Sequence, residues 1–378
     1  MSKINFQRLT NENIIENKLF LPTIEKHYKN NRKGIAYIVS CGGIGNAFLG
    51  AISGLYIAYK LNMIPIISSH LFHCGNLEFI DAFTFNRNKI FYGRDLNTQK
   101  ICNFLNIPEE LWKYTNGCNS KNYCWIRSGV SIEHHVNCIK EYIDKKETET
   151  HICLNGNGWP DEVNYDTLKE MIKYYDLKIN DELLEKATTF IKDNKISEKT
   201  LGCHWRGTDS WSKTNWGKVY PGGFVNITHF IECIKKVYRD YNNCFVCSGD
   251  EESEKKIIKQ IPNCLYYNKK YYTKKTGDDW KELDRKGDDK YNVYRSKEAC
   301  QEAFIDCIIL GKTCVIQKPG FPLPTLEKKG AAGSSFIQLG IFIHTFFKEL
   351  KSLPNHGKKG PVRARRQLRR NIRGIVRR

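Results

Sequence analysis

One stretch near the N-terminus restricts the fold more than any other part of the chain. Residues 34–40 (GIAYIVS) are apolar and β-branched, which is typical of a buried strand, and a glycine-rich turn, CGGIGN at 41–46, follows directly. Small and apolar residues fill 47–61 and predict a buried helix, and 64–68 predict a second strand. A strand, a turn, a helix and a strand in succession predict a βαβ unit, and therefore a parallel sheet in an α/β fold.

The length of the chain predicts two domains. At 378 residues with 40% hydrophobic content, the chain can build more than one sizeable core. Its second half again alternates strands and helices, from a strand at 200–204 to a helix at 297–310 and a strand at 313–317. We predict a first domain at 1–195, ending in an amphipathic helix, a second domain at 196–350, and a tail at 351–378.

The tail has a composition of its own. Residues 355–378 contain eight arginines and two lysines with no acid, and they supply about half of the net charge of +19. If 361–378 is helical, its apolar residues form a stripe among the arginines, which suits an anionic membrane surface or an acidic partner. A disordered basic extension fits equally well. The body has no sequence-specific nucleic-acid module, and the absence of a signal peptide and of a transmembrane segment predicts a cytoplasmic protein, with peripheral membrane contact as an option.

The glycine turn is the first candidate binding site. Gly43 and Gly45 would let the backbone approach an anionic ligand closely, and the helix that begins near Asn46 offers unpaired N–H groups to it. The motif is neither a dinucleotide fingerprint nor a P-loop. A tight strand-to-helix turn without a ligand explains the same residues equally well.

The second candidate site is the run HWRGTD at 204–209, which follows the first strand of the second domain. Ligands of open α/β sheets bind beyond the carboxyl ends of the strands. Arg206 could grip a diphosphate in a bidentate manner, while Asp209 could fix Arg206 or cap the next element. The alternative is a surface pair of Arg206 and Asp209 beside a core histidine, His204.

Two further aspartates are candidates. Asp306 lies in the apolar run AFIDCIIL at 303–310, where an ionised carboxylate is costly without a partner, and a guanine edge with two adjacent N–H donors would be one. The alternative is an aspartate at the polar edge of an amphipathic helix. Asp250 follows the strand at 244–247, in a turn where Ser248 and Glu251 have the spacing of a capping box.

Taken in order, these motifs resemble those of the fucosyltransferase superfamily that includes the α1,6-fucosyltransferases, the rhizobial nodulation fucosyltransferase and the protein O-fucosyltransferases. The matching segments are the GGIGN turn at 42–46, HWRGTD at 204–209, the helix at 303–310 and SSF at 334–336. The resemblance covers the chain from about 35 to 345.

The resemblance implies a GT-B-like fold, with two Rossmann-like domains whose parallel sheets face a central cleft. It implies transfer of fucose from GDP-fucose to a glycan or glycosylated acceptor, with inversion and with neither cofactor nor metal. Arg206 would hold the β-phosphate and stabilise the departing GDP, and His204 and Asp306 would contact guanine. Ser335 and the turn at Gly43, Gly45 and Asn46 would add hydrogen-bond donors to the phosphates, as leaving-group stabilisation without a metal requires.

The sequence departs from the family pattern in two places. Residues 210–218 contain no acid, so the general base is unassigned; Asp209 and Asp250 are candidates, and catalysis without a protein base is a third option. An extra stretch at 318–333 separates the last strand from Ser335. These departures keep two alternatives open: a GT-B transferase for another nucleotide sugar, and a non-catalytic glycan-binding relative.

A cluster of cysteines and histidines is the remaining chemical signal. Its members do not have the spacing of a standard zinc module, and no second C-x-x-C supports a metal site; they are Cys118, Cys124, His134, His135 and Cys138. We therefore predict reduced thiols there, and no metal.

Overall fold

The computed structural model describes residues 34–40, 44–68, 77–93, 102, 105, 107, 125–127, 131–145, 151–157, 163–205, 227–270, 296–318, 321–322 and 335–347. The chain divides into two compact units, Met1–Asn180 and Asp181–Arg378. The predicted boundary at 195/196 would have left the helix Asp181–Asp193 in the first domain. This helix packs instead on the helix Lys297–Gly311 of the second unit, because its apolar side chains Leu183, Ala187 and Ile191 are buried there.

The first unit contains a five-stranded parallel sheet. Its strands are β1 (Ile35–Ser40), β2 (Ile64–Ser68), β4 (Phe91–Gly93), β5 (Trp125–Arg127) and β6 (Ile152–Asn157), in the order β4-β2-β1-β6-β5. A short strand β3 (Phe83–Thr84) pairs antiparallel with β7 (Lys178–Ile179). The described helices are α1 (Ile44–Lys60), α2 (Phe79–Ala82), α3 (Ile132–Asp144) and α4 (Tyr165–Tyr175).

The predicted βαβ unit is confirmed. β1 pairs in parallel with β2, with Ile35 opposite Ile64, and α1 connects them. The β1 residues 35–39 are all fully buried, as expected of a central parallel strand covered on both faces. The helix α1 is buried on nearly all sides because small and apolar residues fill it; it begins at Ile44, so that Gly45 and Asn46 belong to its first turn.

The second unit contains a separate sheet. Its strands are β8 (Thr200–Trp205), β9 (Asn243–Ser248), β10 (Cys264–Leu265), β11 (Cys314–Lys318) and β12 (Phe321–Pro322), in the order β10-β9-β8-β11-β12. All neighbours are parallel except β11 and β12. The described helices are α5 (Asp181–Asp193), α6 (Ile227–Tyr238), α7 (Glu251–Ile258), α8 (Lys297–Gly311) and α9 (Ser335–Phe346).

Side chains alternate between the two faces of the second sheet. Leu201, Cys203, Cys244 and Val246 share one apolar cluster with residues of α6 and α7. The opposite face carries Gly202, where a β-carbon would collide with the side chain of Thr313 and lie close to that of Leu310 in α8. Cys244 and Cys247 therefore point to opposite faces of β9, as their spacing in an apolar strand predicts, and both are buried.

The helices α8 and α9 cross at two glycines. A β-carbon on Gly311 would collide with the carbonyl oxygen of Gly340, and one on Gly340 would collide with the carbonyl oxygen of Cys307. The two backbones therefore approach more closely than any larger residue allows. This crossing fixes where the N-terminus of α9 lies relative to α8.

None of the helices in the described part of the chain has both the length and the apolar content that a bilayer crossing requires.

Candidate functional site

The carboxyl edge of the second sheet has the topology of a ligand site. The central strand β8 ends at Trp205, opposite Ser248 at the end of β9, and Cys203 of the same strand lies opposite Ile316 of β11. The next strand in the sequence, β9, pairs with one edge of β8, and β11 pairs with the opposite edge. Crevices at such switch points are the usual binding places of open parallel sheets. Arg206 is the next residue after Trp205, and it lies outside the described residues together with Asp209 and Gly43.

His204 contacts the start of α9. Its imidazole stacks on the ring of Phe336, with centroids 4.5 Å apart and an interplanar angle of 17°. Phe336 is the second residue of α9, and Ser335 is the first. The structure therefore brings His204 close to the backbone of Ser335.

The helix α8 reaches the same place. The thiol of Cys307 donates a hydrogen bond to the carbonyl oxygen of Phe336 at 3.1 Å, and Asp306 is the preceding residue of α8. Three segments that are far apart in the sequence thus converge here: the end of β8, the middle of α8 and the first turn of α9. A helix N-terminus with free N–H groups beside the carboxyl end of a strand is an anion-binding arrangement.

Asp306 is part of a buried ionic group. Its Oδ2 atom accepts from Nζ of Lys269 at 2.8 Å, and the same ammonium contacts Oε1 of Glu254 at 2.5 Å. Glu254 also accepts from the backbone N–H of Ser248 at 3.0 Å. Asp306 is 2% exposed, so the alternative that placed it at the polar edge of an amphipathic helix is wrong: α8 is covered around this position.

The carboxyl of Asp306 has an unusual environment. Burial raises its pKa to about 7, against the opposing effect of the Lys269 ammonium, which favours the charged form. Burial lowers the pKa of the Lys269 ammonium, but the two neighbouring acids together outweigh this effect and raise the pKa above its usual value. Among the described residues, Oδ1 of Asp306 has no hydrogen-bond partner. Its contact with guanine stays a prediction.

Asp250 has the N-cap role that the sequence assigned to Ser248, two positions earlier. Its carboxylate is the N-cap of α7 and accepts from the N–H of Ser253 at 3.2 Å, and from its hydroxyl. The predicted capping box of Ser248 and Glu251 is wrong because α7 begins at Glu251, which makes residue 250 the N-cap. The hydroxyl of Ser248 accepts instead from the N–H of Asp250. The nucleotide-binding and base roles of Asp250 stay predictions.

The predicted glycine turn at 41–46 comes directly after β1, but its residues 44–46 belong to α1 and its residues 41–43 lie outside the described residues. β1 ends at Ser40, opposite Gly156 at the end of β6, and α1 begins at Ile44. Gly45 is buried and Asn46 half-buried in the first turn of α1. A helix N-terminus directly after a strand is a common place for an anion, and the role of Gly43, Gly45 and Asn46 in phosphate binding stays a prediction.

The cysteine and histidine cluster is only partly described. The Sγ atom of Cys138 lies 3.5 Å from Nε2 of His134, which is one helical turn earlier on α3. His135 is buried. No group of three or more metal-ligating side chains occurs within the described ranges. Cys118 and Cys124 lie outside them.

Sequence reasoning missed Lys269 and Glu254. Lys269 lies at the start of a polar stretch, 266–292, which we predict to be a loop, and Glu254 lies on a helix rich in lysine and glutamate. Both are buried, at 7% and 1% exposed. No local pattern marks them, because their burial depends on contacts with α8.

Comparisons with known proteins give fold likenesses only. No family model matches the chain, and no curated protein does. Among solved structures, the fucosyltransferase NodZ from Bradyrhizobium is similar with a TM-score of 0.47 and 10% identity, over 82% of this chain and 91% of that one. The structure of a NodZ α-1,6-fucosyltransferase soaked with GDP-fucose has a TM-score of 0.46 and 12% identity, and the match covers 82% of this chain and 92% of that one. The structure of a NodZ α-1,6-fucosyltransferase co-crystallised with GDP has a TM-score of 0.45 and 11% identity, and the match covers 82% of this chain and 92% of that one. Likenesses of this size say nothing about the reaction, so a functional assignment depends on the chain's own residues.

Proposed function

We propose that this chain is a glycosyltransferase that moves fucose from GDP-fucose to a glycan or glycosylated acceptor, with inversion and without a metal. One observation carries the proposal: the end of β8, the middle of α8 and the N-terminus of α9 converge, and they bring together His204, Asp306 and the backbone of Ser335. These are three of the positions that the sequence resemblance selects for guanine and phosphate.

The proposed chemistry follows from the residue types. An acceptor hydroxyl attacks the anomeric carbon from the side opposite to GDP, the bond from that carbon to the β-phosphate oxygen breaks, and the hydroxyl proton leaves to a base or to solvent. Negative charge grows on the departing diphosphate, which Arg206 and the N–H groups at the start of α9 would stabilise. Asp209 and Asp250 are the base candidates, and the arrangement of the two units about a central cleft is part of the proposal.

The test is nucleotide binding, because it separates the donor classes. GDP without metal should raise the melting temperature of the protein more than UDP or NAD does. Arg206→Ala should remove most of that shift in melting temperature, because alanine cannot replace the bidentate contact of an arginine with phosphate. Arg239→Ala is the matched control, because Arg239 is exposed just beyond α6 in the same unit.

Different outcomes separate the alternatives. Stabilisation by UDP alone would remove the fucose assignment and favour a transferase for another nucleotide sugar. GDP binding without release of GDP from GDP-fucose, in the presence of an acceptor mixture, would favour a non-catalytic glycan-binding relative.

The tail forms a separate part of the proposal. Residues 361–378 lie outside the described residues, and their arginine-rich pattern supports contact with an anionic membrane surface or an acidic partner. Sedimentation with vesicles that contain anionic lipid should be strong for the full chain and lost when the chain is truncated before 361.

A further inference from the structure

Three charged side chains meet inside the second unit. The ammonium of Lys269, 3% exposed at its side chain, lies between the carboxylates of Glu254 and Asp306. The three come from α7, from the segment after β10 and from α8. With both acids ionised, the formal charges of the three side chains add up to −1.

Stability alone does not explain this group. Taking ions out of water costs several kcal/mol each, and a buried ion pair is often no more stable than apolar residues of the same volume. The cost is higher where an acceptor is left without a donor. Here Oδ2 of Asp306 is bound by Lys269, whereas Oδ1 has no partner among the described residues.

The position of the group connects it to the candidate site. Asp306 precedes Cys307, whose thiol binds the backbone of Phe336 in the first turn of α9, and Phe336 stacks on His204. Glu254 is joined to the end of β9 through the N–H of Ser248, which lies opposite Trp205. Through these contacts, Lys269 and Glu254 connect Asp306 to the edge of the sheet where the candidate site lies.

We infer that Lys269, anchored by Glu254, is a positioning residue for nucleotide recognition: it holds Oδ2 of Asp306 and keeps the carboxylate ionised, so that Oδ1 accepts an N–H of the donor's base. The inference rests on the proposed function and adds the residues that prepare Asp306 for it. A base that reaches Oδ1 enters a site shielded from water, where a charge-assisted hydrogen bond is strong.

The consequence is a pH-dependent nucleotide affinity. Asp306 accepts from a base N–H only while it is ionised, and burial raises its pKa to about 7. GDP should therefore bind more weakly as the pH falls below that value, approaching about tenfold per pH unit. The charged and titratable groups that face Asp306 from the surrounding elements are Lys269, Glu254, Glu302, Tyr267, Cys247 and Cys307.

The test compares the pH profile of GDP binding in two variants. Glu254→Gln removes one negative charge and keeps an oxygen for Lys269 and Ser248, so it should lower the pH of half-maximal binding by about one unit. Lys269→Met removes the cation and should raise that pH by about one unit, with on the order of tenfold weaker binding at neutral pH. The two shifts have opposite signs, which a merely structural role would not produce.

Two controls make the test specific. Glu251→Gln alters an exposed acid on the same helix, which pairs with Lys255 at 2.6 Å, and should leave the profile unchanged. The phosphate of GDP itself titrates near pH 6, but it does so equally for every variant. If Lys269→Met does not fold, the Glu254→Gln profile decides alone.

The two hypotheses fail in different ways. Wild type and Glu254→Gln that bind GDP with the same pH midpoint would show that the group is only structural, and the inference would be overturned. Wild type that binds no GDP at any pH would overturn the proposed function, and the inference with it.

Discussion

Replacing Gly340 by alanine should loosen the candidate site from a distance. A β-carbon at this position would collide with the carbonyl oxygen of Cys307 and lie 3.2 Å from the N atom of Gly311, both in the backbone of α8. Helix backbone cannot move aside as a side chain can, so α9 would have to shift by about 1 Å to reach ordinary contact distance. That shift would separate Phe336 from His204 and from the thiol of Cys307.

The magnitude follows from two opposing effects. Alanine in a helix interior is favoured over glycine by about 1 kcal/mol. Overpacking typically costs about 1–3 kcal/mol, and a collision between backbones lies at the upper end of that range. The collision should win, so Gly340→Ala should lower the free energy of unfolding by about 2 kcal/mol.

The assay is urea unfolding followed by far-UV circular dichroism, together with calorimetric GDP binding. Gly54→Ala is the control: its β-carbon would meet side-chain atoms of Ile38, the nearest at 2.7 Å, in the other unit. It should cost stability without changing the affinity for GDP. A Gly340→Ala protein that is about 1 kcal/mol more stable than wild type would refute the close helix crossing, because it would behave like an open helical site.

Two further predictions concern single side chains. Burial lowers the pKa of His151 from 6.5 to about 4, and its Nδ1 accepts from the N–H of Ile35 at 3.0 Å. As the pH falls, the imidazole of His151 is protonated in the unfolded chain before it is protonated in the folded one, so the free energy of unfolding should fall by ~3 kcal/mol between pH 6.5 and pH 4. His151→Asn keeps a hydrogen-bond acceptor and should make the free energy of unfolding, measured with urea, depend less on pH in this range. An unchanged pH dependence would contradict a buried, neutral His151. Asp250→Ala removes the N-cap of α7 and should lower the free energy of unfolding by ~1 kcal/mol in the same assay. Asp250→Ser keeps a capping oxygen and should retain most of the wild-type stability. Equal stability of the wild type and both variants would exclude a stabilising cap at this position.

The local parts of the fold could be predicted from the sequence because their signals are local. The run from 34 to 68 shows β-branched residues, glycines and small residues in an order that predicts a strand, a turn, a buried helix and a second strand. His204 at a strand end followed from the same kind of reasoning. The start of α1 was harder to place, since glycine and asparagine favour a turn, yet Gly45 and Asn46 are helical.

The ionic group could not be predicted because it depends on contacts across the fold. Glu254 and Asp306 lie 15 and 37 residues from Lys269, on elements that only the tertiary structure brings together. A lysine in a polar stretch and a glutamate on a charged helix ordinarily face solvent. Periodicity reports which face of an element is apolar, and it gives no information about a charge that is buried by a neighbouring helix.

The candidate site depends on backbone packing as much as on the side chains that would touch a ligand. His204 stacks on Phe336 of α9, a helix that crosses α8 at two glycines, and the carboxylate of Asp306 is bound by Lys269, which Glu254 also contacts. Substitutions at Gly340 or Glu254 should therefore alter nucleotide binding by different routes, the first by moving Phe336 and the second by changing a charge. Only the second effect should depend on pH, so the pH profile separates the geometry of this site from its electrostatics.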